Sequence, residues 1–348
     1  MQTNDLRMGP ETDPYQLLRF RDRQYAADML AVAITKMNLF RWLADREGAT
    51  SEEIEQHFQV DARPLDVLLT LCRASGLVET TGVVHRVTQL AIEHLVDSSP
   101  WFLGPYYQPI VDSPIAEGCW RVLRSGKPAA WQADDDGADW HASMLDKDFA
   151  KSFTELMNCR GMAMGQRLAV DLEPWIEDGM RVLDVGAGSG IYSSTLVARY
   201  PGLRATVLEQ APVDAIAANE IKRHGLNDKV KVLAGDMFEI EWPEADIVLL
   251  SNVLHDWDFA EIDTLIAKSA ACLNRGGTVV IHEAFLDNDK RGPLAVAEYS
   301  VLLANITQGK CYTLEEYGRV LQTHGFVVGD YRPTVADRGF MTASIGDS

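Results

Sequence analysis

The spacing of apolar residues changes along the 348-residue chain, and the change predicts two kinds of structure. In the N-terminal part, apolar positions recur at near-helical intervals, most clearly between Tyr15 and Leu43. From Arg181 onward, apolar runs predict five strands: RVLDV, RATVLE, VKVLAG, DIVLLS and TVVIHE. Helical segments are predicted near 190–200, 212–224, 260–273 and 314–324, and the C-terminal stretch VVGDYRPTVADRGFMTASI predicts two closing strands. This alternation predicts an α/β protein in which a Rossmann-like parallel sheet follows a mainly helical N-terminal region.

The N-terminal region has the pattern of a winged helix. Thr50 or Ser51 caps a short helix with acidic residues in its first turn, and a second helix over 63–75 ends at Gly76. LVETTGVVHRVT then alternates between apolar and polar residues around a Thr-Gly turn, which predicts a hairpin. A module of this kind serves either DNA binding or packing and dimerisation. Its second helix is apolar rather than basic, which favours dimerisation.

Charge and cysteine content exclude several kinds of partner. The chain has 32 basic and 51 acidic residues, a formal net charge of −19, so we expect neither nucleic acid nor a membrane surface as a partner. Its five cysteines are widely spaced and show no metal-ligand pattern, which predicts a reduced, cytoplasmic protein without a metal site. The polar N-terminus has no signal-peptide pattern, and no apolar window of about 18 residues predicts a membrane span.

These observations predict four segments. Residues 1–13 form a flexible tail, 14–99 the winged-helix dimerisation domain, 100–165 a helical connecting or lid region, and 166–348 the sheet domain. The third segment is rich in aromatic and Met residues, which suit either the wall of a pocket for a flat apolar ligand or plain inter-domain core. The residues predicted to line a substrate pocket are Tyr107, Met144, Phe153, Met157, Trp257 and Asn305.

A glycine-rich loop follows the first predicted strand of the sheet. In LDVGAGSGIYS, Gly186, Gly188 and Gly190 let the backbone turn tightly and approach a ligand. Glu209 ends the next strand 23 residues after Gly186, a distance typical of a carboxylate that binds ribose hydroxyls. Loop, helix, strand and acid together predict a nucleotide-type site.

The kind of nucleotide depends on the residues around this loop. A dinucleotide site prefers its third glycine one position later, and Asp184 at the strand end would repel a pyrophosphate but attract a cationic amino-acid group. In GDMF, Gly235 is followed by Asp236, Met237 and Phe238, which suit an adenine through one hydrogen bond and two apolar surfaces. An adenosine that carries an amino-acid cation therefore fits better than NAD, which stays the alternative.

The combination resembles S-adenosylmethionine-dependent methyltransferases. More narrowly, it resembles the O-methyltransferase family of plant caffeic acid and hydroxyindole enzymes and their bacterial relatives. The resemblance spans about residues 15–345, through the winged-helix module and the motifs LDVGAGSG, VLEQAPV, GDMF, LHDW and IHE. It implies a class I methyltransferase sheet, S-adenosylmethionine as the cofactor and a homodimer formed through the N-terminal domain. It also extends the predicted cofactor contacts to Gln210, Ser251 and Asn252.

The stretch SNVLHDWDF places His255 beside Asp256, just after the predicted strand DIVLLS. A His at this point can be a general base, a metal ligand or part of a helix start. Asp258 with Glu261 has the spacing of a capping box, and no third strong ligand has a fixed spacing for a metal. A free phenol has a pKa of about 10, so it needs a base at neutral pH. The resemblance makes His255 that base and Glu283, at the end of the neighbouring strand, its orienting partner.

One position departs from the pattern of the family. Many plant members carry a second acidic residue in a stretch similar to QGKCYT, where this chain has Cys311, and a thiol is not a carboxylate at neutral pH. We predict methyl transfer to a hydroxyl of a small phenolic metabolite, with C- or N-methylation of an aromatic metabolite as the alternative reaction. A winged-helix regulator that senses the cofactor is the alternative outside enzymes.

Overall fold

The structure is a computed structural model that describes residues 5–129 and 143–345. The chain forms two compact units. The first contains Met1–Gln16, His141–Ala284 and Leu314–Ser348, and the second contains Leu17–Trp140 and Phe285–Thr313. Residues 1–4 of the predicted tail and 130–142 of the predicted 100–165 segment lie outside the described residues.

The first unit is built on a seven-stranded sheet. Its strands are β4 (Arg181–Val185), β5 (Arg204–Glu209), β6 (Val230–Ala234), β7 (Ala245–Ser251), β8 (Leu273–Glu283), β9 (Phe326–Pro333) and β10 (Gly339–Ile345). Their order is β6-β5-β4-β7-β8-β10-β9, and β10 is antiparallel to both of its neighbours while the other pairs are parallel. Buried apolar side chains along β4 and β7 give the continuous runs typical of a parallel sheet covered on both faces.

Four helices of the first unit alternate with the strands in the βαβ rhythm that the sequence predicts: α10 (Ile191–Arg199), α11 (Val213–Arg223), α12 (Phe259–Cys272) and α14 (Leu314–Thr323). A longer helix, α9 (Lys147–Asp171), precedes the first strand of this sheet. Short 3₁₀ turns occur at Glu173–Trp175 and Leu254–Asp256. The second of these turns carries His255, so the predicted base stands between β7 and the start of α12.

The second unit is mainly helical. Its helices are α1 (Tyr15–Asp22), α2 (Ala26–Ala31), α3 (Leu39–Ala44), α4 (Ser51–Phe58), α5 (Ala62–Ala74), α6 (Gln89–Leu95), α7 (Gly104–Val111), α8 (Pro114–Ser125) and α13 (Leu294–Ile306), with a π-helical turn at Val32–Lys36. A small sheet of β1 (Ala49–Thr50), β2 (Val78–Thr81) and β3 (Val84–Val87) has the order β1-β3-β2. Thr50 and Glu53 form a reciprocal capping box at the start of α4. The small sheet and α4–α5 have the winged-helix pattern that the sequence predicts.

In many winged-helix proteins the helix equivalent to α5 binds in a DNA groove, but here α5 is buried. Leu65 and Leu68 of α5 share one apolar core with Val301 of α13. Both arginines of α5 are also covered, since Arg63 is 9% exposed and the Arg73 side chain 7%. Helix α5 therefore lacks the exposed basic face that groove binding requires.

A charged cluster joins residues 285–313 to α5. Asp66 of α5 accepts hydrogen bonds from Nζ of Lys290 at 2.7 Å and Nζ of Lys310 at 2.5 Å. Burial favours the neutral acid, but these two cations prevail and hold the pKa of Asp66 below its usual range. Arg63 adds a 2.7 Å hydrogen bond to the Gly309 carbonyl. These contacts group 285–313 with the N-terminal residues, whereas the sequence analysis placed all of 166–348 in one segment.

Helices α9 and α10 pack closely at Gly161. A β-carbon there would lie 2.7 Å from Cγ2 of Ile191, a buried β-branched side chain with little freedom to move. Overpacking costs about 1–3 kcal/mol, which exceeds the gain in helix propensity of about 1 kcal/mol. We therefore expect Gly161→Ala to lower the midpoint of urea unfolding. Gly118→Ala in α8 is the control, because its new methyl would lie 3.4 Å from Ala129 Cβ, and it should leave the midpoint unchanged or raise it.

Candidate active site

Four predicted site residues lie at the carboxyl ends of adjacent parallel strands. Strand β4 lies between β5 and β7, so the chain leaves it toward one side for β5 and β6 and toward the other for β7 and β8. Open α/β sheets bind ligands at such a reversal point. The strand ends bring Asp184, Glu209, Ser251 and Glu283 to one edge of the sheet.

The glycine loop is held by the acid at the end of β5. Gly186 and Gly188 have φ angles of 62° and 59°, in the left-handed region that favours glycine. The N–H of Gly188 donates to Oε1 of Glu209 at 2.7 Å, and the N–H of Gln210 donates to Oε2 at 3.0 Å. Burial raises the pKa of Glu209 to about 7, against the lowering effect of these two donors. A β-carbon on Gly188 would meet no described atom within 4 Å, so the loop faces open space there.

Asp184, the penultimate residue of β4, precedes the glycine loop and is almost fully buried. Its Oδ2 accepts hydrogen bonds from the Ser193 hydroxyl at 2.8 Å and the Ser193 N–H at 3.2 Å. Its Oδ1 is buried and has no hydrogen-bond partner among the described residues. Burial raises the pKa of Asp184 to about 7, so this oxygen suits a cationic group that would restore the charged form.

The GDMF segment forms a fixed turn at the end of β6. Oδ1 of Asp236 accepts the N–H of Phe238 at 2.8 Å, and the Phe238 ring meets the Trp257 ring edge-on with centroids 4.8 Å apart. Nζ of Lys268 donates to the carbonyls of Phe238 and Ile240 at 2.8 and 2.9 Å. Sequence reasoning missed Lys268, because it lies inside α12 and no spacing relates it to this turn.

Met237 and Gly235 complete this turn. Sδ of Met237 would lie 3.8 Å from a β-carbon on Gly186, so the turn and the glycine loop are neighbours. A β-carbon on Gly235 would lie 2.7 Å from Ile240 Cδ1, which favours glycine at that position. The structure thus brings the predicted adenine contacts beside the loop.

His255 and Glu283 form a buried pair. Nδ1 of His255 donates to Oε2 of Glu283, and both side chains are nearly inaccessible to solvent. Oε1 of Glu283 accepts the N–H groups of Val253 at 3.0 Å and of His255 at 3.4 Å. One carboxylate therefore fixes the imidazole ring and the backbone that carries it. Nε2 is the ring nitrogen that does not contact Glu283.

Asp256 lies on the Nε2 side of the imidazole. Its Oδ1 is 3.6 Å from Nε2 of His255. Burial raises the pKa of Asp256 to about 6, although the nearby His255 lowers it. A second carboxylate is therefore placed to offset positive charge on the ring. Among the described residues, no group of three His, Cys, Asp or Glu has the geometry of a metal site.

Ser251 and Asn252, predicted as cofactor contacts, also join a buried polar network. Oγ of Ser251 is 2.8 Å from Nδ1 of His282, and Nδ2 of Asn252 donates to Oγ of Ser251 and to the Tyr192 hydroxyl at 3.2 and 3.1 Å. Nε of Arg338 donates to Oδ1 of Asn252 at 3.4 Å. Sequence reasoning missed Tyr192 and Arg338. Tyr192 follows the glycine loop directly, but Arg338 is distant in sequence and gave no signal.

The predicted substrate residues are divided between the two units. In the first unit, Trp257 is buried, while Met144, Phe153 and Met157 are half-buried at or near α9. In the second unit, Tyr107 is half-buried against the apolar core and Asn305 is buried. Nδ2 of Asn305 donates to the Val301 carbonyl of its own helix at 2.8 Å.

The strand order, the glycine loop after β4 and the acid at the end of β5 together define a class I methyltransferase fold. A family model described as "O-methyltransferase domain" matches residues 122–327. The 3-hydroxy-5-methyl-1-naphthoate 3-O-methyltransferase of Streptomyces sahachiroi is 32% identical over 298 residues, 84% of each chain. Acetylserotonin O-methyltransferase of Bos taurus is 27% identical over 91% of this chain and 93% of the relative. This chain therefore belongs to the O-methyltransferase family.

A solved structure extends the similarity to the whole architecture. An O-methyltransferase family 2 protein from Planctomyces limnophilus, in complex with apigenin, has a TM-score of 0.88, 28% identity and 99% coverage of both chains. The family resemblance and the fold class predicted from the sequence are thus confirmed. The chain is an enzyme, a methyltransferase whose cofactor is S-adenosylmethionine, rather than an NAD-dependent enzyme or a regulator.

The raised pKa values of Asp184 and Glu209 predict how cofactor binding depends on pH. In the ligand-free protein, both acids hold protons up to about pH 7, well above their unfolded values of about 4. The folded state then binds more protons than the unfolded state, so the free energy of unfolding falls as pH rises from about 4 to about 7. A cationic amino-acid group favours the ionised acids, so affinity should rise with pH and binding should release protons at pH 6.

Calorimetry in two buffers of different ionisation enthalpy measures that proton release. We expect release at pH 6 that declines by about pH 8, and less release at pH 6 in Asp184→Asn. Binding heat that does not depend on the buffer at pH 6 would contradict the assignment of these acids.

Proposed function

We propose that this enzyme methylates a hydroxyl of a small phenolic metabolite, with His255 as the general base. The observation that carries the proposal is the buried His255–Glu283 pair at the carboxyl edge of the sheet, which fixes the imidazole and leaves Nε2 as its proton acceptor. The names of the relatives support the substrate class, because one acts on a 3-hydroxynaphthoate at its 3-oxygen and another on acetylserotonin as an O-methyltransferase.

The residues present fit S-adenosylmethionine. Asp184 would hold its cationic amino-acid part, Glu209 its ribose, and Met237 and Phe238 its adenine. Because Gly188 has no side chain, the cofactor would be able to approach the backbone of the glycine loop there. When bound, the cofactor supplies an electrophilic methyl group on a sulfonium, which becomes a neutral thioether when the methyl leaves.

The protein's own part is to remove a proton and to stabilise the resulting charge. Nε2 of His255 takes the proton of the acceptor hydroxyl as the new oxygen–carbon bond forms. The carboxylate of Glu283 stabilises the imidazolium through Nδ1, and Asp256, 3.6 Å from Nε2, adds negative charge on the other side. The ring then returns its proton to solvent before the next turnover.

A product-localising screen tests the proposal. The enzyme is incubated with ¹³C-methyl-labelled cofactor and a panel of hydroxynaphthoates, flavones and hydroxyindoles, each paired with its methyl ether as a control that lacks the hydroxyl. We expect label on oxygen with at least one free phenol and none with the paired ether. Label on a ring carbon or nitrogen, or no transfer across the panel, would refute it.

We also propose that the chain is a homodimer formed through its N-terminal region, and this adds a further prediction. Several large apolar side chains of the second unit are strongly exposed, including Leu17 at 76%, Phe20 at 66% and Tyr106 at 79%. Such surfaces are typical of association sites. We expect sedimentation at twice the mass of one chain, and a shift toward the monomer in Leu17→Asp/Phe20→Asp. The surface variant Val327→Asp, on β9 and 60% exposed, is the matched control and should remain dimeric.

We propose a cytoplasmic, reducing location for the enzyme. All five cysteines are free thiols, and four of them are buried. Among the helices of the described residues, none has both the length and the apolar character that a bilayer crossing requires.

A further inference from the structure

The chain that carries His255 leaves β7 through a left-handed backbone conformation at Asn252. Asn252 has a φ angle of 55°, in the left-handed region, and its N–H donates to the His282 carbonyl at 2.9 Å. Farther along this segment, the N–H groups of Val253 and His255 both donate to Oε1 of Glu283. The residues 251–255, named the catalytic turn, thus depend on Asn252 for their direction.

A second strained turn lies beside the first. Residues 334–338, named the β9–β10 turn, contain Ala336 and Asp337 with φ angles of 58° and 56°. Two successive non-glycine residues in this region persist only where the surrounding structure holds them. Strand β10 begins at Gly339, which pairs directly with Glu283, so this turn delivers Arg338 next to the His255–Glu283 pair.

Both turns share one buried network. Arg338, 4% exposed, donates through Nε to Asn252 at 3.4 Å and through an Nη to the Ala336 carbonyl at 2.9 Å. The Tyr192 hydroxyl accepts from Asn252 at 3.1 Å. Thr334 is 3.2 Å from Nε2 of His282, whose Nδ1 is 2.8 Å from the Ser251 hydroxyl. The Asn252 side chain is therefore bonded at its nitrogen and at its oxygen.

His282 serves this network as a neutral ring. Burial lowers its pKa to about 3, and the positive charges of Arg338 and Arg160 act in the same direction. A neutral imidazole has one donor and one acceptor nitrogen. His282 therefore links Thr334 to Ser251 without adding a positive charge near His255.

We propose that Tyr192 and Arg338 are positioning residues, which lock the Asn252 side chain and thereby hold the catalytic turn so that His255 meets Glu283. The left-handed conformations of the two turns are then part of the preorganisation of the base. This inference rests on the proposed role of His255, but it concerns residues that do not touch the reacting atoms.

The test uses the full chain with ¹⁵N-labelled histidine, and the His255→Gln spectrum assigns the Nδ1 proton of His255. We expect Tyr192→Phe and Arg338→Lys to shift or broaden that resonance. The matched control is Tyr200→Phe, which removes a hydroxyl that donates to the Ala169 carbonyl at 2.8 Å and accepts from Nε of Arg199 at 3.4 Å, and it should leave the resonance unchanged. An unchanged resonance in Tyr192→Phe would overturn the inference, even if Arg338→Lys fails to fold.

Turnover provides an independent readout that a purely structural role would not give. With a weakly acidic phenol, kcat should fall about tenfold in Tyr192→Phe, while a phenol ionised at the assay pH should lose about twofold or less, since it needs no base. Equal losses with both phenols, or a loss confined to cofactor affinity, would overturn the inference. If the wild-type enzyme methylates no phenol, the proposed function fails, but the resonance of His255 still decides the positioning role.

Discussion

Replacing His255 with Ala is expected to lower kcat about 10²–10⁴-fold with a weakly acidic phenol, the range that a positioned general base contributes. The reason is the geometry of the buried pair: Glu283 holds Nδ1, and Nε2 is the nitrogen left for the substrate proton. Cofactor affinity should change little, because the glycine loop and Glu209 are held by contacts that do not involve His255. Rates with saturating substrate and calorimetry with the cofactor measure the two quantities separately.

The acidity of the acceptor sharpens this experiment. A phenol already ionised at the assay pH should recover most of the lost rate in His255→Ala, because its proton is gone before it binds. His324→Ala is the matched control, because it also removes an imidazole that contacts a carboxylate. His324 follows directly after α14, and its Nε2 is 2.8 Å from Oδ1 of the exposed Asp263. Near wild-type turnover of a weakly acidic phenol by His255→Ala would rule out the base, whereas lost cofactor binding in a folded protein would indicate a binding role.

Replacing Glu209 with Ala is expected to weaken cofactor binding about 100-fold or more. The carboxylate would hold the ribose, and it also accepts the N–H groups of Gly188 and Gln210 that shape the glycine loop. Hydrogen bonds to charged groups contribute about 1.5–3 kcal/mol each, and about 1.4 kcal/mol corresponds to a tenfold change in affinity. At saturating cofactor, kcat should stay close to the wild-type value, because Glu209 is not part of the His255–Glu283 pair.

A second substitution, Glu209→Gln, separates the effect on cofactor affinity from the effect on folding stability. Glu209→Gln keeps an acceptor for Gly188 but loses the charge, so it should bind the cofactor with intermediate affinity. Burial raises the pKa of Glu209 to about 7, so its charged form is unfavourable in the ligand-free protein. At pH 8 the ligand-free Glu209→Gln protein should therefore melt no lower than wild type, while its stabilisation by added cofactor is smaller. The exposed acid Glu241 gives the control Glu241→Gln, and unchanged cofactor affinity in Glu209→Ala would exclude the ribose role.

Local patterns were sufficient for the sheet and for the nucleotide loop. The predicted runs RVLDV and RATVLE are β4 and β5, because apolar strands between helices have few other ways to bury their side chains. Parallel strands end on one edge, which is why Asp184, Glu209 and Glu283 lie at the same edge of the sheet. Because side chains alternate along β8, His282 contacts Ser251 while Glu283 contacts His255.

Long-range packing decided what the sequence pattern left open. Helix α13 is buried almost all round, so its apolar pattern gave no direction, and its contacts with α5 place residues 285–313 in the second unit. In the sequence Asp256 is only the neighbour of His255, but the 3₁₀ turn places its carboxylate 3.6 Å from Nε2 of His255. Spacing along a chain does not encode the direction of such a turn.

The sequence by itself therefore determined the α/β class and the glycine loop with its acid 23 residues on, and its resemblance to the family implied the pairing of His255 with Glu283. The class and the loop follow from periodicity and from the common edge of parallel strands. Only the tertiary structure decided that α5 is covered, that Asn252 is locked by Tyr192 and Arg338, and that Asp256 faces the base. These contacts join residues far apart in the chain, and their geometry depends on side-chain packing and strained turns rather than on local pattern.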